Sequence, residues 1–372
     1  MKKILLSLLV LGIVLGAVLW VRYGGGELYP DLSGPPLFAE NALEEVLAYP
    51  EPIGNVAVSA EGRIFFTVHP ESRPQGNKLL QYIDGAVVPF PDVQSQDRLF
   101  DTVLGVVIDR QNRLWTIDHG YHGTRPARLL AFDLESGDLI HDQMFDKSIA
   151  PLGSFLQDIQ VSVDGQTVVI ADASFWRKSP ALIVYDIGTA SARRVLEQHE
   201  SVSAESYVIR NHGNEMSFIG GIVTLRGGVD GLALTDEWLY FGAITASGLY
   251  RIALSDLINP KTPDAQLAAS VQRYSNKPLS DGFSVDKEGN VYITDIEHGA
   301  IFRVTQDRKP QTLIRSRQLR WADALSYGPG GWLYIADSAL YDVVLRPRDH
   351  ISAQGPYKIF RFQTGTEGTP GQ

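Results

Sequence analysis

Four aspartates recur at the head of short apolar runs: Asp158, Asp230, Asp281 and Asp323. A second polar set follows the next run in each case, and it includes Asp118, His119, Asp172, Asp295, His298 and Asp337, with His69 in the equivalent place nearer the N-terminus. Gathered in one place, such carboxylates repel one another, and burial makes each harder to ionise. Two kinds of partner relieve that cost. A hard cation such as calcium, which takes six to eight oxygen ligands, suits Asp158, Asp230 and Asp281 as a metal set. An organic amine is the other, paired with carboxylates and laid against aromatic faces such as Trp176 and Trp321. His298 and Asp281 are the candidates for moving a proton in such a site. The plain alternative is that each Asp accepts backbone N–H bonds and stitches neighbouring segments together.

The elements that must position these residues come from a sixfold repeat. Copies begin at residues 54, 104, 158, 230, 281 and 323, with intervals of 50, 54, 72, 51 and 42. The fifth is the clearest: Asp281-Gly-Phe-Ser-Val-Asp286, a Lys-Glu-Gly turn, then Asn290-Val-Tyr-Ile-Thr-Asp295. Strand, polar turn and second strand at this period predict an all-β chain folded as a six-bladed β-propeller with an N-terminal transmembrane or signal helix. One hairpin separates the start of each inner strand from the end of the second, so both polar sets are expected on one face near the axis. The last blade lacks a fourth strand unless residues 43–49 supply it, which would close the ring and remove its exposed edge. The long interval between the third and fourth copies contains residues 198–221, read as a long loop with one extra strand that covers one face. The expected division is 1–22 signal anchor or signal peptide, 23–39 flexible linker, 40–364 propeller and 365–372 disordered tail.

Composition narrows the function. A net charge of −10, with no long run of Lys and Arg in the sequence, argues against nucleic acid as a partner. The absence of cysteine removes disulfides, thiolate metal sites and cysteine nucleophiles. Lys2 and Lys3 precede eighteen uncharged residues, 4–21, long enough to cross a bilayer. No small-x-small cleavage site follows, and the lysines should stay cytoplasmic. These features predict an exported protein, periplasmic or extracellular, anchored to the inner membrane by residues 4–21 and otherwise free of membrane contact. His119 and His122 form an H-x-x-H, but in a glycine-containing loop rather than on a helix, which is a poor metal site. No dinucleotide, Walker or nucleophile-elbow motif is present.

Several segments resemble the major royal jelly and yellow protein family. They are Arg113-Leu-Trp-Thr-Ile-Asp118-His-Gly120, Pro180-Ala-Leu-Ile-Val-Tyr-Asp186, Gly228-Val-Asp-Gly-Leu-Ala-Leu234, Gly248-Leu-Tyr-Arg-Ile252 and Trp321-Ala-Asp-Ala-Leu-Ser326. The resemblance spans residues 40–362 in order and implies a secreted six-bladed propeller with a ligand pocket on one face, binding amines in some relatives and labelled dopachrome tautomerase related in others. A small cationic or aromatic molecule is therefore the expected partner, with tautomerase activity as a further expectation. The alternative is a calcium-dependent lactonase or hydrolase of the gluconolactonase type, in which the ion polarises a carbonyl. Gly54 and Leu104 stand where that family would place polar metal ligands.

Overall fold

The computed structural model describes residues 2–372. Each sequence repeat forms the two inner strands of a four-stranded antiparallel blade, and six such sheets make the ring. The innermost strands are Ile53–Val58, Val103–Ile108, Leu156–Val161, Val229–Leu234, Phe283–Val285 and Ala322–Tyr327. A strand packed between two neighbouring blades is covered on both faces, which is why these segments are nearly continuous in Val, Ile, Leu and Ala rather than alternating. All six residues of Ile53–Val58 and of Val103–Ile108 are buried. The core is accordingly divided into clusters that lie between adjacent sheets.

Blade six is closed by strand Glu44–Tyr49, which pairs antiparallel with Tyr357–Gln363. The pairing places Glu44 opposite Arg361, and the guanidinium holds that carboxylate at 2.9 Å. Both ends of the propeller chain thus share one sheet.

Two expectations about the flanks need correction. Residues 23–39 are a strap laid across the ring rather than a free linker. Glu27–Leu28 pairs with Tyr207–Val208, the Tyr29 hydroxyl donates to the Lys277 carbonyl at 3.0 Å, and the Phe38 N–H donates to the Leu313 carbonyl at 2.8 Å. Residues 365–372 are likewise ordered. Gly371 and Gln372 are buried at the axis, where the Gly371 N–H reaches the Tyr327 carbonyl at 2.8 Å and the Tyr327 N–H reaches the Gln372 carbonyl at 2.8 Å. Glycine and polar composition suggested freedom, but unpaired inner-strand edges at the axis capture the backbone whatever its side chains.

The long insertion contains five very short strands between Tyr207 and Thr224 rather than one, paired among themselves and with the strap. It covers the face toward which the inner strands begin. Helix α1, Lys2–Tyr23, projects from that same face with its apolar side chains exposed.

Candidate functional site

Local backbone irregularity aims the aspartates. Strand register shifts between Ile53 and Asn55, Val103 and Val106, Leu156 and Ile159, Val229 and Leu232, and Ala322 and Ala324. A bulge at the first residues of an inner strand turns an extra side chain out of the ladder, and here those residues include Asn55, Asp158, Asp230 and Asp323. Asp281 lies just ahead of its strand. The Asp-Gly pairs have a separate cause: a Cβ on Gly282 would lie 2.6 Å from the Asp323 carbonyl oxygen, and one on Gly231 would strike the Asp281 carbonyl. Blades approach too closely at the axis for any side chain there.

The structure places Asp158, Asp230, Asp281 and Asp323 around one axial well, lined also by Asn55, Gln157 and Gln372. Asp158 Oδ1 accepts from the Ile159 N–H at 3.1 Å and Oδ2 from the Leu232 N–H at 3.1 Å, the latter on the next blade. Asp281 Oδ2 accepts from Trp321 Nε1 at 2.6 Å. By contrast, Asp230 Oδ2 and Asp323 Oδ2 are buried without a hydrogen-bonded partner among the described residues.

Burial dominates the ionisation of the well. It pushes the Asp158 carboxyl up to about 7, against the backbone hydrogen bonds that favour its charged form. Burial, reinforced by repulsion from Asp281, raises Asp230 and Asp323 well above the ordinary carboxylate range. Asp281 is raised less, because Asp230, Trp321 and Lys277 all favour its anion.

Lys277, which sequence reasoning missed, is fully buried beside this well. Its Nζ donates to Ser280 Oγ at 2.8 Å and to the Pro278 carbonyl at 3.1 Å. Desolvation lowers it to about 7, opposed by Glu205, Asp281, Asp295 and Asp230. No local pattern marks it, since Asn276-Lys-Pro278 reads as an ordinary loop.

Above the well lies an apolar vestibule of about 70 Å³ that shares Gln157 with it. Its walls are Phe155, Phe175, Trp176, Phe218, Leu225 and Ile244, and its polar edge is His69, Glu71 and His122. His69 joins the two spaces, its Nε2 standing 3.8 Å from Asp323 Oδ2. Its Nδ1 accepts from the Glu71 N–H at 3.2 Å, and burial holds the ring neutral with a pKa of about 4. His122 Nε2 meets Glu71 Oε1 at 2.8 Å, leaving a buried Nδ1 without a partner among the described residues. Burial alone would raise Glu71, but that bond with His122 holds it below its usual range. Glu71 and Phe155 were also missed: they stand in loops between repeats, where periodicity carries no signal.

The second polar set behaves differently. Asp118 accepts the N–H groups of Asp101, Thr102 and Gly120 and the Thr102 hydroxyl, all within 2.9 Å. Asp172 accepts the Phe155 N–H and the Arg194 guanidinium, both at 2.8 Å, and Asp337 accepts the Trp321 N–H at 2.7 Å and Arg320 Nε at 3.0 Å. These three stitch loops together, their oxygens taken up by backbone, hydroxyl and guanidinium donors. Asp295 accepts from the N–H groups of Glu297 and His298 and from His298 Nδ1. His298 is not beside the axial well; it lies under the strap, between Asp295 and Asp31. His119 is buried against Phe155 with Nε2 unpaired among the described residues. Trp321 is buried against Asp281, and Trp176 stands on the vestibule rim, packed on Phe175.

The fold of this six-bladed ring is one that several solved structures share. Among those similar to this chain are a luciferin-regenerating enzyme (10% identity, 88% of this chain and 97% of that one, TM-score 0.57), a gluconolactonase of Xanthomonas campestris (14%, 92% and 99%, 0.54) and the calcium-binding regucalcin of Agrobacterium tumefaciens (13%, 91% and 97%, 0.55). At such identities the likeness is one of fold. No curated protein sequence matches the chain. The major royal jelly protein family matches residues 101–318, more than half of the chain, and the protein belongs to that family.

Proposed function

We propose that this protein is an exported, membrane-anchored propeller that binds a small amine with an aromatic or apolar body. The observation that carries this reading is the junction of the apolar vestibule with the carboxylate well through Gln157 and His69. An aromatic body lies against Phe155, Phe175 and Phe218, and the ammonium is directed toward the well, where Asp230 and Asp323 each hold an unpaired oxygen. Because burial favours the neutral form of these carboxyls, a cationic ligand works against that shift as it binds, and affinity rises with pH. The Glu71–His122 pair supplies an oriented imidazole at the vestibule edge, the group a tautomerase step needs for proton transfer.

A second reading is calcium binding with lactone hydrolysis. It is favoured by the same two unpaired oxygens, since the oxygen-only donor set of Asp158, Asp230, Asp323 and Asn55 fits a hard cation. An ion there would supply Lewis-acid polarisation of a carbonyl; the chain's own residues would orient that carbonyl from the vestibule and exclude water.

Melting of the full chain at pH 8 with amines, catechols, calcium, chelator and lactones separates the two readings, because a ligand specific to the folded form raises the melting temperature. Stabilisation by amines, lost in Asp230→Asn/Asp281→Asn, supports the first reading. Stabilisation by calcium alone, reversed by chelator, would replace it with the second.

A further inference from the structure

We infer that the vestibule face is seated on the phospholipid surface of the membrane that α1 crosses, so that ligand enters from the lipid–water boundary rather than from bulk solvent.

The first argument is geometric. Residues 4–21 rise about 1.5 Å each, about 27 Å in all, which matches the ~30 Å hydrocarbon core of a bilayer. Trp20, Arg22 and Tyr23 then stand at headgroup depth, where aromatic and basic residues anchor spans. No slack separates that level from the propeller. The Tyr23 hydroxyl donates to the Trp176 carbonyl at 2.9 Å, Arg22 Nη2 to the Arg177 carbonyl at 3.0 Å, and Thr224 Oγ1 to the Tyr23 carbonyl at 2.9 Å. The Tyr23 ring packs on Phe175 and Trp176, which are vestibule walls. The rim of the vestibule is thus fixed at the depth where the span ends.

The second argument is the distribution of apolar side chains. Among the described residues outside α1, thirteen large hydrophobic side chains are exposed. Six of them, Val93, Tyr121, Leu152, Trp176, Ile219 and Leu345, lie in segments on the vestibule side; Leu152, Ile219 and Leu345 are 68%, 66% and 59% exposed. The other seven lie in strands or in the strap, and none is in the turns joining inner to second strands on the opposite face. The exposed apolar groups that lie outside strands and strap are thus all on the vestibule side, and such a gathering on one face marks an interaction surface.

Charge names the partner. The chain as a whole carries −10, yet Arg22, Arg73, Lys178, Arg226, Arg346 and Arg348 cluster around this rim, and none enters an ion pair among the described residues. They donate instead to backbone carbonyls or lie over aromatic rings, as Arg22 does to that of Arg177 and Arg226 to that of Gly24. Basic side chains interleaved with exposed Trp, Tyr, Leu and Ile complement lipid phosphate with acyl chains beneath it. The ligand class sharpens accordingly to amphiphilic amines that concentrate at a bilayer interface; this last step rests on the amine reading above, whereas the docking does not.

The test uses the full chain in vesicles of phosphatidylethanolamine and phosphatidylglycerol. Because the protein has no cysteine, single reporters are introduced at Ile219→Cys and Leu345→Cys on the vestibule side and at Glu237→Cys and Glu288→Cys on the opposite turns, each carrying an environment-sensitive fluorophore. Quenching by lipids spin-labelled at the headgroup should be at least about twofold stronger at the first pair, and Arg346→Glu/Arg348→Glu should reduce that difference. Equal quenching on both faces overturns the proposal. If labelling disturbs folding, brominated-lipid quenching of unlabelled protein should fall in Trp176→Phe, and no change there overturns it equally. A face-specific pattern without amine stabilisation would leave the docking standing and remove the amine reading.

Discussion

The indole Nε1 of Trp321 donates to Asp281 Oδ2 at 2.6 Å, so two side chains expected to face a ligand separately satisfy each other inside the wall of the well. A hydrogen bond to a buried charged acceptor contributes about 1.5–3 kcal/mol. Trp321→Phe keeps an aromatic ring and removes the donor, leaving Asp281 with less support for its charge. The expected result is a loss of about that size in chemical denaturation. A variant with the wild-type midpoint would mean that the bond carries no stability.

The well also makes stability depend on pH with a definite sign. Asp158 has its folded pKa raised to about 7 by burial, against an ordinary value of 3.8. For a group raised on folding, the stability it contributes is full below its unfolded pKa and is lost as pH rises through the folded one. Asp158→Asn should therefore match the wild type near pH 4 and melt higher near pH 8, by a few degrees. Parallel melting curves of the two proteins across that range would contradict burial as the cause.

The ring was legible because inner strands covered on both faces must be apolar throughout and must recur at blade length, and because Asp-Gly at positions 230 and 281 marks places where neighbouring backbones nearly touch. Asp158 and Asp230 were separable from Asp118 and Asp172 by position, at the head of inner strands against the end of second strands, but the different surroundings of the two pairs were not legible. All four are aspartates at strand ends, but a bulge aims the first two at the axis, while the others meet backbone N–H groups of their own loops. Nothing in a one-dimensional pattern encodes that difference. Lys277, Glu71 and Phe155 were hidden for a related reason: loops of unrelated sequence are brought together only by closure of the ring. The strap and the C-terminal segment read as loose because their own composition is loose, whereas their partners, such as Tyr207 and Tyr327, lie far away in sequence.

The strap should loosen as pH rises. His298 is held between Asp295 at 3.0 Å and Asp31 of the strap at 3.6 Å, and the bond to Asp295 raises its pKa above 6.5. A histidine raised on folding stabilises fully below its unfolded pKa and loses that contribution as pH rises through the folded value. Proteolysis within residues 24–39 should accordingly be slow at pH 6 and quicken toward pH 8.5, with His298→Gln fast at both. A cleavage rate indifferent to pH in the wild type would exclude this clasp.

The axial end of the chain gives a local prediction. The Ile108 N–H donates to the Gly371 carbonyl at 3.0 Å, the Tyr327 N–H to the Gln372 carbonyl at 2.8 Å and Ser284 Oγ to the same carbonyl at 3.0 Å, so three different blades are tied through two residues. Removing residues 368–372 leaves those donors without their present partners. At about 0.5–1.5 kcal/mol for each bond, the loss is a few kcal/mol, enough to shift the melting temperature but not to unfold a ring of this size. Amide exchange should quicken most at Ile108 and Tyr327, while amides within the outer strands, such as Ile183 and Phe302, keep their protection. Uniform acceleration across all blades would show instead that the segment holds the whole ring together.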